Sequence, residues 1–61
     1  MADPFTALKR VLHERIDQLQ QELAMGNAED HAAYKATCGE IAGIKYAISE
    51  LEHLRSRYEV D

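Results

Sequence analysis

Apolar residues recur along the first third of the chain at the spacing of an α-helix. Successive members of the series are three or four residues apart, which gathers them on one face of a helix. The series comprises Phe5, Leu8, Leu12, Ile16, Leu19 and Leu23, with Val11 beside it. Asp3-Pro4 comes just before, and a capping acid followed by proline is typical of a helix start. The pattern predicts a helix over residues of about 4–25.

Gly26 marks the end of this helix, because glycine is the preferred left-handed residue after a last helical turn. A tight turn then covers residues 26–30. Asn27 and Asp30 could each cap the next helix, and we favour Asp30, with the helix opening at His31. So short a connection makes the two helices antiparallel neighbours.

The second helix is predicted to run from about 31 to 58, with a heptad stripe facing the first helix. One heptad position holds Tyr34, Ile41, Ile48 and Arg55, and the other holds Thr37, Ile44, Leu51 and Tyr58. Folding the chain about residue 28 sets Leu23 against Tyr34, Ile16 against Ile41 and Phe5 against Leu51. The sequence therefore predicts an all-α, two-helix antiparallel hairpin that forms a single domain over 1–61.

A hairpin of 61 residues has few side chains with which to build a hydrophobic core. A chain of this size buries only about 60% of its unfolded surface. Its single cysteine, Cys38, allows no internal disulfide, and we interpret this residue as a small buried apolar side chain. We expect oligomerisation or docking to complete the fold.

Small residues form a line along the second helix, at Ala32, Ala36, Gly39, Gly43 and Ala47. Each glycine inside a helix costs about 1 kcal/mol relative to alanine, so close approach of another helix is the available reason for them. That helix is either the first helix or one from another subunit or protein, and we favour the second. Leu54 and Tyr58 are expected to extend past the first helix without an intrachain partner, and together with Arg55 they would be secondary anchors. The predicted interaction face is therefore Gly39, Gly43, Ala47, Ala36, Leu54, Arg55 and Tyr58.

The net charge and the lengths of the apolar stretches restrict the classes of partner that we expect. The net charge of −4 argues against nucleic acid or an anionic membrane as partner. The excess acid is predicted around the turn, where Lys35 alone faces Asp17, Glu22, Glu29, Asp30 and Glu40. No apolar stretch is long enough for a membrane span, and no signal peptide is expected.

Catalytic and metal-binding patterns are weak. Glu50 and His53 have the Glu-x-x-His spacing of di-iron bundles, but no inward carboxylates are expected opposite them. No triad or phosphate loop is evident, so we predict a non-enzymatic protein with no metal, cofactor or small-molecule substrate.

The stretch Tyr34-Lys35-Ala36-Thr37-Cys38-Gly39-Glu40-Ile41-Ala42-Gly43-Ile44 resembles small helical-hairpin proteins encoded by tailed bacteriophages. The resemblance covers roughly residues 30–58. It implies a head- or capsid-associated virion protein that is assembled in the host cytoplasm. The Gly39–Gly43 face would then pack on another copy or on a viral structural protein.

The function predicted first is thus structural: a minor phage virion component that acts through helix packing. One alternative is a small cytoplasmic regulator that binds and inhibits or adapts a host protein. Another is a dimeric RNA-binding hairpin with the architecture of the plasmid regulator Rop, which would need exposed basic residues on one face.

Overall fold

The computed structural model describes residues 3–26 and 30–60, which form two helices. Helix α1 is Pro4–Ala24 and helix α2 is His31–Val60, and no strand occurs in these two ranges. The helices pack against each other as an all-α hairpin, as predicted. The predicted bounds are confirmed to within one residue at the end of α1 and two at the end of α2.

The ends of α1 are determined by local hydrogen bonds. The Thr6 amide donates to Oδ1 of Asp3 at 2.8 Å, and the Thr6 hydroxyl donates to Oδ2 at 3.0 Å. Pro4 follows the cap, at a position where its missing N–H costs nothing. At the other end Gly26 has a φ of +72°, in the left-handed region, and its amide donates to the Leu23 carbonyl at 3.1 Å.

Helix α2 begins at the cap that we favoured. Oδ1 of Asp30 accepts a hydrogen bond from the Ala33 amide at 2.8 Å, and the Asp30 carbonyl accepts from the Tyr34 amide at 3.0 Å. The alternative cap, Asn27, lies outside the described residues, as does Glu29. One aspartate therefore begins each helix, three residues before the amide that it caps.

The hydrophobic core lies along the seam between the helices and is small. Its buried members are Ile16, Leu19, Ile41 and Ile48, and the partly buried side chains packed on them are Leu12, Leu23 and Ile44. All seven belong to the predicted stripes. Tyr34, at the turn end of the α2 stripe, is exposed, so the seam does not close over the full heptad pattern.

Side-chain contacts confirm that the helices are antiparallel. Arg15 in the middle of α1 meets Glu40, and Lys9, nearer its start, meets Glu52. At the open end of the hairpin, the ring of Phe5 lies 5.8 Å from the ring of Tyr58, between centroids. The predicted register set Phe5 opposite Leu51, so this aromatic contact falls one heptad further along the same stripe.

The hairpin is a single layer of helix. Its extents are 48 × 21 × 11 Å, and the shortest equals the diameter of one helix with its side chains, about 10–12 Å. The radius of gyration is 14.5 Å, whereas a compact domain of this length has about 10.5 Å. Each helix therefore contacts its neighbour on one side and has a second side facing solvent.

Candidate interaction face

The two glycines of α2 face away from α1. A Cβ atom built on Gly39 or on Gly43 would meet nothing within 4 Å, and both residues are exposed. Each lies two residues from the buried Ile41, and two residues along a helix rotate the side-chain direction by about 200°. The alternative in which α1 packs closely against the glycines is therefore wrong.

The glycines belong to a continuous exposed strip on the far side of α2. Spacings of three, four or seven residues place its members on one helix face. We call this strip the α2 outward face, and it comprises Ala32, Ala36, Gly39, Gly43, Tyr46, Ala47 and Leu54, all of them exposed. The interaction face predicted from the sequence did not include Tyr46. Its position three residues after Gly43 is the signal that would have assigned it to this face. Its side chain is 68% exposed.

Arg55 and Tyr58 do not belong to the α2 outward face. Arg55 is half-buried beside the seam, with its guanidinium 4.0 Å from Oδ2 of Asp3. Tyr58 contacts Phe5. The expectation that Tyr58 has no intrachain partner is wrong, because α1 lies along the C-terminal part of α2 and its first turn reaches Tyr58. Leu54 remains exposed, at 41%.

Large apolar side chains are exposed on both helices near the open end of the hairpin. Leu8 and Val11 contribute from α1, and Leu54 and Tyr58 from α2. Scattered exposed apolar residues are normal, and of these four only Leu54 belongs to the α2 outward face.

Ion pairs connect the flanks of the helices. Nζ of Lys9 lies 2.6 Å from Oε1 of Glu52, and Nη2 of Arg15 lies 3.0 Å from Oε2 of Glu40. Glu40 was expected to belong to an uncompensated acidic cluster at the turn. That expectation is wrong for this residue, because the long Arg15 side chain spans the seam to reach it. Within α1, Arg10 pairs with Glu14 at 3.7 Å, as its spacing of four residues predicts.

Two carboxylates have lowered pKa values because of these contacts. The Thr6 amide and hydroxyl lower the pKa of Asp3 by hydrogen bonding, and Arg55 adds a smaller effect of the same sign. The ammonium group of Lys9 lowers the pKa of Glu52 by hydrogen bonding and by its charge. Both groups are favoured in their charged forms by contacts at the open end of the hairpin.

The candidate chemical groups are isolated from one another. Nδ1 of His53 lies 3.9 Å from Oε1 of Glu50, but no third His, Cys, Asp or Glu joins them among residues 3–26 and 30–60. Cys38 is a free thiol and is half-buried, less enclosed than predicted. No cavity is found in the described part of the hairpin. Neither described helix is long and apolar enough to cross a membrane.

Comparison with known proteins finds no matching family model, no similar curated protein and no similar solved structure. The resemblance to phage hairpin proteins therefore remains a prediction. The functional argument depends on the geometry of the α2 outward face.

Proposed function

We propose that this protein is a non-enzymatic assembly protein that acts by packing the α2 outward face against another helix. The single observation that carries the proposal is the open space around Gly39 and Gly43. These glycines lie inside a 30-residue helix, and a Cβ atom added to either would meet nothing beyond the adjacent backbone of that helix. A close neighbour outside the chain supplies a reason for them.

The energetic cost of the glycines supports this proposal. Alanine in place of either glycine would fit without a clash, and it would stabilise the helix by about 1 kcal/mol per position. For a hairpin that buries four side chains among the residues that the structure describes, two such increments are a large part of the total stability. A glycine pair that the chain itself does not need is explained if the missing Cβ atoms allow two helix backbones to approach closely.

The amount of exposed surface also supports a partner. The chain exposes 4859 Å², whereas a compact monomer of 6.9 kDa exposes about 4000 Å². The excess, roughly 850 Å², is close to the area that one partner loses in a standard protein interface. The hairpin thus has about one interface more surface than a self-sufficient domain of its mass.

The distribution of charge favours a protein partner over RNA. Lys9, Arg10, Arg15 and Arg55 each pair with a carboxylate. An RNA-binding surface needs basic groups that are free to meet phosphates, so the pairing weakens the Rop-like alternative. A regulator of a host protein would use the same α2 face, but in a one-to-one complex.

Matched leucine variants test the assembly role. Gly43→Leu adds a side chain to the α2 outward face, and Gln21→Leu adds an apolar side chain to the exposed face of α1. Circular dichroism should show full helicity for both, because leucine is a good helix former and neither position is enclosed. In native extracts of the producing cells, the unmodified chain and Gln21→Leu should elute in a complex, and Gly43→Leu as the free 6.9 kDa chain. Retention of Gly43→Leu in the complex, or elution of the folded unmodified chain alone, would contradict the proposal.

We also propose, from the resemblance to phage hairpin proteins, that the assembly is a virion. Mass spectrometry of purified particles tests this location. Peptides of this chain should be present at a fixed ratio to the major capsid protein. Their absence from particles, with the chain abundant in the lysate, would instead favour the host-directed regulator.

A further inference from the structure

The charges that flank the glycines make the α2 outward face complementary to a second copy of the same face that runs antiparallel to it. Lys35 lies eight residues before Gly43 and Glu50 lies seven residues after it. Both share the exposed side of the helix with the glycines, since Lys35 is four residues before Gly39 and Glu50 is seven after Gly43. At 1.5 Å per residue they lie about 12 Å and 10.5 Å from Gly43, on opposite sides of it.

These two charges are available for an external partner. Lys35 makes no ion pair within the described part of the chain. Glu50 has a histidine neighbour, His53, at 3.9 Å, which is charged only when it is protonated. Lys35 and Glu50 are 15 residues apart on one helix, or about 22 Å, so they cannot meet within the chain.

We infer that the partner on the α2 outward face is a second copy of this chain, docked antiparallel across Gly43. This inference rests on the proposed function and names the partner of the same face. An antiparallel two-fold axis at Gly43 sets Lys35 of each copy opposite Glu50 of the other, so one geometry forms two identical ion pairs. A parallel pair would instead oppose Lys35 with Lys35 and Glu50 with Glu50.

Other residues of α2 fit the same axis. Tyr46, three residues after Gly43, comes opposite Gly39, four residues before it, in the second copy. A large exposed ring then covers a position that has no Cβ. The face thus has opposite charges on the two sides of Gly43, at Lys35 and Glu50, and mostly small, uncharged residues between them, which is the pattern of a two-fold, self-complementary contact.

Charge-exchange variants test the pairing in the full chain, by sedimentation equilibrium over a concentration series. The unmodified protein should reach twice 6.9 kDa. Lys35→Glu or Glu50→Lys should each raise the dimer dissociation constant at least about tenfold, because both ion pairs become like-charge contacts. An equimolar mixture of the two variants should dimerise, since every contact is then between opposite charges. Dimerisation of each single variant as tight as that of the unmodified chain would overturn the inference.

Cysteine cross-linking tests the direction. In a Cys38→Ser background, Ala32→Cys lies eleven residues before Gly43 and Leu54→Cys eleven residues after it. An antiparallel dimer should form a disulfide between the two different variants when they are mixed, and none between identical chains. Cross-links between identical chains at both positions would indicate parallel docking and overturn the inference.

Failure of this inference can be told apart from failure of the assembly role. A helical, monomeric protein at all concentrations, whose Gly43→Leu variant still loses its cellular complex, would overturn self-docking and leave the assembly role intact. The partner would then be a different protein. A dimer that the cysteine pair traps as expected supports the second copy directly.

Discussion

The outward faces of the two helices differ in kind, although both helices contribute to the same seam. On α1 most residues that face solvent are polar or charged, and Leu8 and Val11 are apolar exceptions. The polar and charged residues include Arg10, Glu14, Asp17, Gln18 and Gln21. On α2 the surface opposite the seam has a strip of alanines and glycines, with one tyrosine and one leucine, and Lys35 and Glu50 flank this strip. Helix α1 is accordingly the more strongly amphipathic of the two. The outer side of α1 is therefore a solvated surface, whereas the outer side of α2 resembles a helix-packing surface.

This difference shows that the two helices contribute differently to the protein. The polar face of α1 needs nothing more than solvent. The middle of the α2 outward face, around Gly39 and Gly43, has small side chains in place of the long charged ones that normally cover a solvated helix, and Lys35 and Glu50 flank it. Its two glycines also weaken the helix that carries them. Helix α1 completes the hairpin, whereas α2 contributes to the hairpin seam and, in our proposal, also supplies the surface for association.

The largest effect is expected from the seam that both helices share. Leu19→Ala should cost about 2–5 kcal/mol, because Leu19 is only 3% exposed and the layer has no second core to compensate. This is comparable to the whole stability of a domain of this size, so the isolated chain should lose its helical circular dichroism signal. Leu8→Ala, at a 47% exposed position of the same helix, is the matched control and should remain folded. Equal losses in the two variants would show that the seam is not where the stability lies.

A second, opposite effect is expected on the α2 outward face. Gly39→Ala combined with Gly43→Ala should raise the free energy of unfolding of the dilute chain by about 1–2 kcal/mol, because both positions are open. The same variant should associate more weakly, since two added Cβ atoms separate the helices. Urea unfolding and sedimentation measure the two effects separately. Gln21→Ala on α1 should change neither by a comparable amount, and destabilisation by the glycine replacements would indicate an intrachain contact at this face.

Acid should weaken the open end of the hairpin. Asp3 and Glu52 have lowered pKa values in the folded chain, so their contribution is present above their unfolded values and is lost as the pH falls below about 4. Asp3→Asn retains an N-cap but removes the charge, so its unfolding midpoint should depend less on pH between about 5 and 3 than that of the unmodified chain. An unchanged pH profile would show that Asp3 does not contribute.

The smallest effect is expected at the flank between the two faces. Arg15 and Glu40 are about half exposed, so a double-mutant cycle with Arg15→Gln and Glu40→Gln should give a coupling of at most about 1 kcal/mol that declines with added salt. Neither variant should change the association constant, because the Glu40 side chain pairs with Arg15 of α1 on the flank of α2 and not with a residue of the α2 outward face. A loss of dimer in either variant would extend the interface around the side of α2.

The hairpin could be predicted from the sequence because the residues that determine its helix ends act locally. Asp3-Pro4, Gly26 and Asp30 each determine an element end through hydrogen bonds or a φ angle within a few residues. The buried isoleucines of α2 follow from the heptad spacing. The contact of Tyr58 with Phe5 and the pairing of Arg15 with Glu40 did not follow, because they depend on the reach of side chains across the seam. The direction of Gly39 and Gly43 depends on the angle between two stripes on one helix, which spacing alone constrains loosely.

The thickness of the molecule, 11 Å, has a consequence for its behaviour in the cell. If a second copy binds the folded chain and not the unfolded chain, the folded fraction rises with the concentration of the protein itself. Chains made at a low level would stay close to their unfolding transition and be open to proteases. Chains made in quantity would protect one another. Abundance would then set the lifetime of this protein.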